Sequence, residues 1–128
     1  MPNVKRRYCA LVVDDNRDAA ESFARVLLYM GCEAVFTTDP RSALNEAVRL
    51  QPHIAFLDIG MPHLNGYDLA RQLRVHFSQE NLKLVAVTAY NTAEDRIVAR
   101  KAGFDAHVAK PIDPALVESI IKTMLAEV

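Results

Sequence analysis

The chain has 128 residues, about half of them hydrophobic (51%), with 15 Lys and Arg against 16 Asp and Glu for a formal net charge of -1. That balance fits a single globular domain over residues 1–128 with an ordinary core, and it lacks the basic clustering of a nucleic-acid footprint. No apolar stretch approaches the ~20 residues of a membrane span, and no secretory signal opens the chain, so a cytoplasmic location is expected.

The first seven residues, with Lys5-Arg6-Arg7, read as a solvated tail. Tyr8 to Val13 reads as a strand, ending in Asp14-Asp15. Asp18 to Met30 carries Ala20, Phe23, Leu27 and Met30 at helical spacing, and Gly31 stops it. Cys32 to Phe36 is a second strand. Asp39-Pro40 reads as an N-cap with proline in the first turn of a helix that buries Ala43, Leu44, Ala47 and Val48 and stops before Pro52. Ile54 to Leu57 is a third strand, with Asp58 at its C-terminal end. The loop Gly60 to Gly66 follows, Gly66 serving the turn into a helix that turns Leu69, Leu73 and Phe77 to one side. Leu82 to Val87 is a fourth strand. Thr92-Ala93-Glu94-Asp95 resembles a capping sequence for a weakly amphipathic helix around Ile97, Val98 and Ala102, which packs shallowly and halts at Gly103. Ala106 to Ala109 is a short fifth strand, and Asp113-Pro114 repeats the cap-and-proline device before a helix with Leu116, Val117, Ile120, Ile121, Met124 and Leu125.

Five β/α units with apolar strands imply a parallel sheet covered by helices on both faces, because parallel strands need crossover connections. In such a sheet the βα loops emerge at one edge, where open α/β folds place their chemistry. Asp14, Asp15, Asp58, Thr88 and Lys110 each stand at or just after a strand end, so they converge. Like charges about 4 Å apart repel by roughly 4 kcal/mol at an effective dielectric near 20. The acids therefore call for a positive partner, either a hard divalent cation with oxygen ligands or Lys110. Taken singly, Lys110 also reads as a plain salt bridge and Thr88 as a helix-approach cap. Cys9 and Cys32 read as reduced thiols, and His53, His63 and His76 as loop or helix-end residues that bind nothing.

With these residues in place the chain resembles a response-regulator receiver domain of two-component signalling, similar to the chemotaxis regulators. The likeness rests on Val12-Val13-Asp14-Asp15-Asn16, Leu57-Asp58-Ile59-Gly60-Met61-Pro62, Asn65-Gly66, Thr88-Ala89 and Lys110-Pro111, and it covers essentially the whole length. It implies a flavodoxin-like α/β fold: a doubly wound, five-stranded (βα)5 sheet of strand order 2-1-3-4-5. By resemblance, Asp58 is the residue phosphorylated from a histidine kinase or histidine phosphotransfer protein, and Mg²⁺ is required. Asp15 and Asp58 would ligate the metal through carboxylates, Gly60 through its backbone carbonyl and Asp14 through a bound water. Lys110 and Thr88 would each reach a phosphoryl oxygen, and the small Ala89 would leave space for the group.

The resemblance also implies a switch, in which Thr88 moves toward the phosphoryl group and a side chain three residues before the lysine turns to fill the vacated space. The surface on the fourth helix, fifth strand and fifth helix changes with it. Here that side chain is His107, where the family usually carries tyrosine or phenylalanine; it acts either as a flat, partly polar rotor or as a surface residue. The resemblance further implies a cis Lys110-Pro111 bond, and it places Gly60 and Tyr90 where they govern access of water to the acyl phosphate. Gly103 to Pro111 is similar to receivers attached to hybrid kinases, so the output is a separate protein target or a fused domain. The domain is then a signalling phosphoacceptor that catalyses its own phosphorylation and dephosphorylation, not an enzyme with a separate substrate.

Three rivals differ in chemistry. A haloacid dehalogenase-type phosphatase needs a second Asp two residues after Asp58, where Gly60 stands. A flavin binder wants a hydroxyl-rich phosphate loop after the first strand, where Asp14-Asp15-Asn16 would repel the ligand. A phosphorylation-independent interaction module has no use for the full acid, hydroxyl and lysine set.

Overall fold

The computed structural model describes residues 8–89 and 92–125. Lys5-Arg6-Arg7 and Tyr90, for which a tail and a cover over the site are expected, lie outside the described residues.

Five strands, β1 (Cys9–Val13), β2 (Glu33–Thr37), β3 (Ile54–Asp58), β4 (Lys83–Thr88) and β5 (Ala106–Ala109), form one parallel sheet in the order β2-β1-β3-β4-β5. The helices are α1 (Arg17–Tyr29), α2 (Ala43–Leu50), α3 (Gly66–His76), α4 (Ala93–Ala102) and α5 (Pro114–Met124). This is the flavodoxin-like arrangement that the resemblance implies. β3 is central, and all five of its residues are buried, as a strand covered on both faces requires.

The period-2 alternation of the strands divides the core. Leu11, Val13, Ala55, Leu57, Leu84 and Ala86 face α2, α3 and α4, where they meet Ala43, Ala47, Leu69, Leu73, Phe77, Ala99 and Ala102. Ala10, Val12, Ile54, Phe56, Val85, Val87 and Val108 face α1 and α5, against Ala20, Phe23, Leu27, Val117 and Ile121. Both layers are built of buried apolar side chains, which pack the sheet from either face up to the strand ends.

The caps follow side-chain chemistry. Asn16, Asn65 and Asp113 accept backbone N–H bonds from Ala19, Asp68 and Ala115 at 3.0, 2.9 and 3.0 Å. At α4 the expected box forms reciprocally: Asp95 N–H donates to Thr92 Oγ1 at 3.0 Å, and Thr92 N–H to Asp95 Oδ2 at 3.1 Å.

Two expectations are corrected, and a third, Gly66 at the turn into α3, gains its physical reason. Asp39 caps a 3₁₀ turn over Pro40–Ser42, and α2 begins only at Ala43; consequently its buried stripe is Ala43 and Ala47, with Leu44 half-buried and Val48 exposed. On α4 the residues turned inward are Ala99 and Ala102, while Ile97 and Val98 are exposed, so the shallow packing rests on alanines. Gly66 has no left-handed backbone: it stands where the start of α3 abuts the end of β3, and a Cβ there would lie 2.6 Å from the Asp58 carbonyl oxygen.

Away from the strand ends, Arg74 near the end of α3 ties three segments together. Its guanidinium donates to the carbonyls of Gly103 (2.9 Å) and Leu82 (2.7 Å) and to Asp105 Oδ2 (2.7 Å), which also accepts from Leu84 N–H at 2.9 Å. His53 is structural as well, its Nδ1 accepting from Cys9 N–H at 3.0 Å. Cys9 and Cys32 are free thiols, as expected, and burial pushes both up from the usual thiol range.

Candidate phosphoacceptor site

At the C-terminal edge of the sheet, β1 and β3 bring three acids together. One ligand oxygen from each of Asp14, Asp15 and Asp58 lies within 4.8 Å of the others. Asp14 and Asp58 are buried and Asp15 is exposed, so the cluster opens to solvent on the Asp15 side.

Backbone bonds hold the two buried acids. Asp14 N–H donates to Thr37 O at 3.2 Å, extending the β1–β2 ladder past the strand end, and the Asp14 carboxylate accepts from Asn16 N–H at 2.9 Å. Asp58 pairs in register with Val87, and the next residue continues the ladder through Ile59 N–H to Val87 O at 3.1 Å. Gly60 N–H then turns back toward Asp58 Oδ1 at 3.4 Å.

The positive partner is Lys110. Its backbone N–H donates to Thr88 O at 2.9 Å, the Lys110-Pro111 bond is cis as expected, and its Nζ lies 3.4 Å from both Asp14 Oδ2 and Asp58 Oδ1. A single ammonium bridging two buried carboxylates balances only part of their charge. Burial, and then the nearby Asp14, push the Asp58 carboxyl above the ordinary carboxylate range in spite of Lys110 and the Gly60 N–H. Burial works against the charge on Lys110, but Asp14 and Asp58 outweigh it and hold the ammonium above the usual lysine range. Three oxygen donors with a residual negative charge are the donor set of a hard divalent cation, so the residues present fit Mg²⁺.

Thr88 ends β4 and is buried, and Ala89 beside it is exposed at the mouth. Ala86 faces the α2–α3–α4 layer, and alternation puts Thr88 on the same side. His107 is in register with Ala86 and therefore shares that side, diagonal to Thr88 beneath α4. His107 is half-buried and lines a cleft of about 230 Å³ with Arg96, Ala99, Arg100 and Phe104. The open alternative for His107 thus narrows: it is neither a fully exposed residue nor remote from Thr88.

Among the described residues, those expected at the site stand at this edge or, for His107, directly behind it. Sequence reasoning missed the close approach of Gly66 to Asp58; the only signal was a second glycine in the loop after β3. It also missed a cleft of about 360 Å³ beside the acids, between α1 and the segment after β5, lined mainly by Phe23, Val26, Val87, Pro111 and Ile112 with Asp14 and Lys110 at one side.

Known proteins resemble this chain in sequence and fold. The family model of the response regulator receiver domain matches residues 10–122. The response regulator MprA of Mycolicibacterium vanbaalenii is 35% identical over 101 residues, covering 79% of this chain and 43% of that protein. The hybrid signal transduction histidine kinase L of Dictyostelium discoideum is 32% identical over 118 residues, covering 88% of this chain and 7% of that protein. Among solved structures, a CheY-like response regulator receiver domain from Methylobacillus flagellatus superposes with a TM-score of 0.81 at 28% identity, covering 93% of this chain and 99% of that one. The chain spans about half the length, or less, of most of the curated relatives it matches. It belongs to the response regulator receiver domains of two-component systems.

Proposed function

We propose that this domain accepts a phosphoryl group on Asp58 from the phosphohistidine of a histidine kinase or histidine phosphotransfer protein. The observation that carries the reading is one carboxylate, Asp58, bracketed by two further acids and bridged by Lys110 at 3.4 Å. In the transfer, a carboxylate oxygen of Asp58 attacks phosphorus, a P–O bond forms as the P–N bond breaks, and the imidazole leaves. Phosphoryl transfer depends on positioning and charge stabilisation more than on covalent work by the protein. Lys110 meets one phosphoryl oxygen, the Thr88 hydroxyl donates to another, and Ala89 leaves room for both.

Asp15 and Asp58, the Gly60 carbonyl and, through water, Asp14 are the groups that would hold Mg²⁺. When bound, the ion offsets negative charge on the phosphoryl oxygens. Hydrolysis of the acyl phosphate at the same site returns the domain to its resting state, so it acts on itself and turns over no separate substrate.

The new charge and acceptor oxygens draw Thr88 inward, and His107, on the same side of the sheet, follows. The surface of α4, β5 and α5 then carries the signal to a protein target or a fused domain. No described helix is long and apolar enough to cross a membrane. Within this proposal the domain meets its phosphodonor in the cytoplasm.

The test is incubation with Mg²⁺ and acetyl phosphate, or with a phosphorylated histidine protein, beside an Asp58→Asn control and read by intact mass. A phosphoryl adduct on the parent chain alone is expected; no Asp58-dependent adduct with any donor sinks the reading.

A further inference from the structure

The cleft of about 360 Å³ between α1 and the segment after β5 is built unlike the clefts around α4. Those carry arginines and other polar side chains, whereas this one is lined mainly by apolar groups. Phe23 and Val87 are buried, so its floor is the layer that α1 packs on the sheet, and the half-buried Ala19, Val26 and Ile112 rise from it to the opening. Ala19 is too small to fill the space in front of it. The volume falls within the range of small-ligand sites, about 300–1,000 Å³, and so does the composition: an apolar lining with a few polar groups at its ends.

Those polar groups set the charge of an occupant. At one end Lys110 is already engaged by Asp14 and Asp58, each at 3.4 Å, and three carboxylates stand against its one ammonium, which leaves no cation for an anionic ligand. At the other end Ser22 borders both this cleft and a smaller one of about 190 Å³ that holds Asp18, Glu21 and Arg25. Glu21 pairs with Arg25 at 3.3 Å, while Asp18 is exposed and makes no ion pair among the described residues. The start of α1 favours an acid at Asp18, yet its carboxylate stays uncovered one helical turn from Ser22.

We infer that this cleft binds a small molecule made of an apolar, ring-sized body and one ammonium group, the body lying between α1 and Ile112 and the ammonium meeting Asp18 beside Ser22. Charge complementarity selects the head group: an anion meets surplus carboxylate at both ends, and an uncharged head leaves Asp18 unanswered. The site stands on its own geometry and needs no phosphoryl group on Asp58.

The full chain, labelled with ¹⁵N and free of Mg²⁺ and phosphodonor, is titrated with phenylpropylamine. Phenylpropionate keeps the ring and reverses the charge of the head; propylamine keeps the head and drops the ring. The aromatic amine is expected to shift the amides of Ser22, Phe23, Val26, Val87 and Ile112 and to spare α3 and α4. Both controls are expected to bind at least about fivefold more weakly. Asp18→Asn is expected to weaken the aromatic amine by about two- to fivefold, the worth of one exposed ion pair. Ala19→Leu, which fills the cleft from α1, is expected to abolish the shifts while the rest of the spectrum matches the parent; Val26→Phe fills it from two turns further on and serves if Ala19→Leu does not fold. Shifts spread over other faces, equal binding of phenylpropionate or propylamine, or undiminished binding by the filled variants would each overturn the assignment. So would a helical peptide of lysines and leucines that shifts these amides where phenylpropylamine does not, which would give the cleft to a partner's helix.

Discussion

A β-carbon on Gly66 would lie 2.6 Å from the carbonyl oxygen of Asp58 and 2.8 Å from the Cα of Ile59, so the first turn of α3 is pressed directly against the backbone that carries the phosphoacceptor. The contact is backbone on backbone, and Gly66 N–H donates to Ile59 O at 3.0 Å, which leaves no slack. Gly66→Ala is expected to destabilise the fold by about 1–3 kcal/mol, the usual range for overpacking. It also displaces Asp58 and slows its phosphorylation. Urea melts and acetyl phosphate rates on the same preparation check both; an unaltered rate at reduced stability would show that α3 can yield without moving Asp58.

Arg74 acts far from the chemistry. It is nearly buried and joins α3 to the carbonyls of Leu82 and Gly103 and to the carboxylate of Asp105. Arg74→Ala strands Asp105 and several carbonyls, and breaking a buried pair by removing one partner costs about 3–5 kcal/mol. Arg74→Lys is expected to recover only a small part, because one ammonium cannot reach along three directions as the planar fork does. Chemical denaturation measures the loss. Folded Arg74→Lys protein should still phosphorylate at Asp58.

Much of the fold was legible because the core obeys two periods. Short apolar runs such as Ile54-Ala55-Phe56-Leu57, alternating with longer helical stripes, read as strands buried on both faces, and Asp or Asn before Pro or a helical stripe marks the helix starts. The site was legible for a related reason: in a parallel sheet every βα loop emerges at the same edge, so Asp14, Asp58, Thr88 and Lys110 had to meet. What escaped depends on partners distant in sequence. Arg74 looks like any helical arginine until Gly103 and Asp105 fold over it. Likewise, Val48 and Ile97 cannot be told from core residues until the angle of the helix on the sheet is known.

The acid cluster makes stability depend on pH and on Mg²⁺. Asp58 is shifted upward by burial and by Asp14, so the folded state holds its proton more tightly than the unfolded chain does. Its contribution therefore favours the fold in acid and is lost as pH rises through the folded value. Once ionised, Asp58 adds to the strain of the cluster. Mg²⁺ is expected to raise the melting temperature at pH 7 and to do so much less near pH 4, where protons compete for Asp58. At a hundredfold excess over Kd the gain is about 2.7 kcal/mol. Asp58→Asn is expected to melt higher than the parent chain without metal at pH 7 and to gain less from Mg²⁺. Thermal melts across pH with and without the ion check the sign.

Lys110 is the cation that makes the metal-free cluster tolerable, lying 3.4 Å from two carboxylates. Lys110→Ala removes it, so the Asp58 carboxyl is expected to titrate higher still, as followed by ¹³C NMR of the carboxyl carbons. Phosphorylation from acetyl phosphate slows in the same variant, because one phosphoryl oxygen loses its counter-charge. An unchanged Asp58 titration would mean that solvent, not Lys110, balances the acids.

His107 and Thr88 are diagonal neighbours on one side of the sheet, since His107 pairs with Ala86 and Thr88 with Ala109. α4 covers that side with Ala99 and Ala102, the smallest side chains that can seal it, so a ring beneath α4 has space to turn. If His107 transmits the state of Thr88, its removal uncouples the surface from the site without touching the chemistry. His107→Ala is accordingly expected to keep phosphorylation at Asp58 within about twofold, because His107 stands on β5 and belongs neither to the acid cluster nor to its lysine bridge. The same variant should lose most of the phosphorylation-dependent amide shifts along α4. His107→Tyr, which restores a flat ring of larger area, is expected to bring them back. Amide spectra of the three proteins with Mg²⁺, before and after acetyl phosphate, separate the cases: α4 shifts that persist in His107→Ala would assign the signal to Thr88 and the backbone of β4 alone.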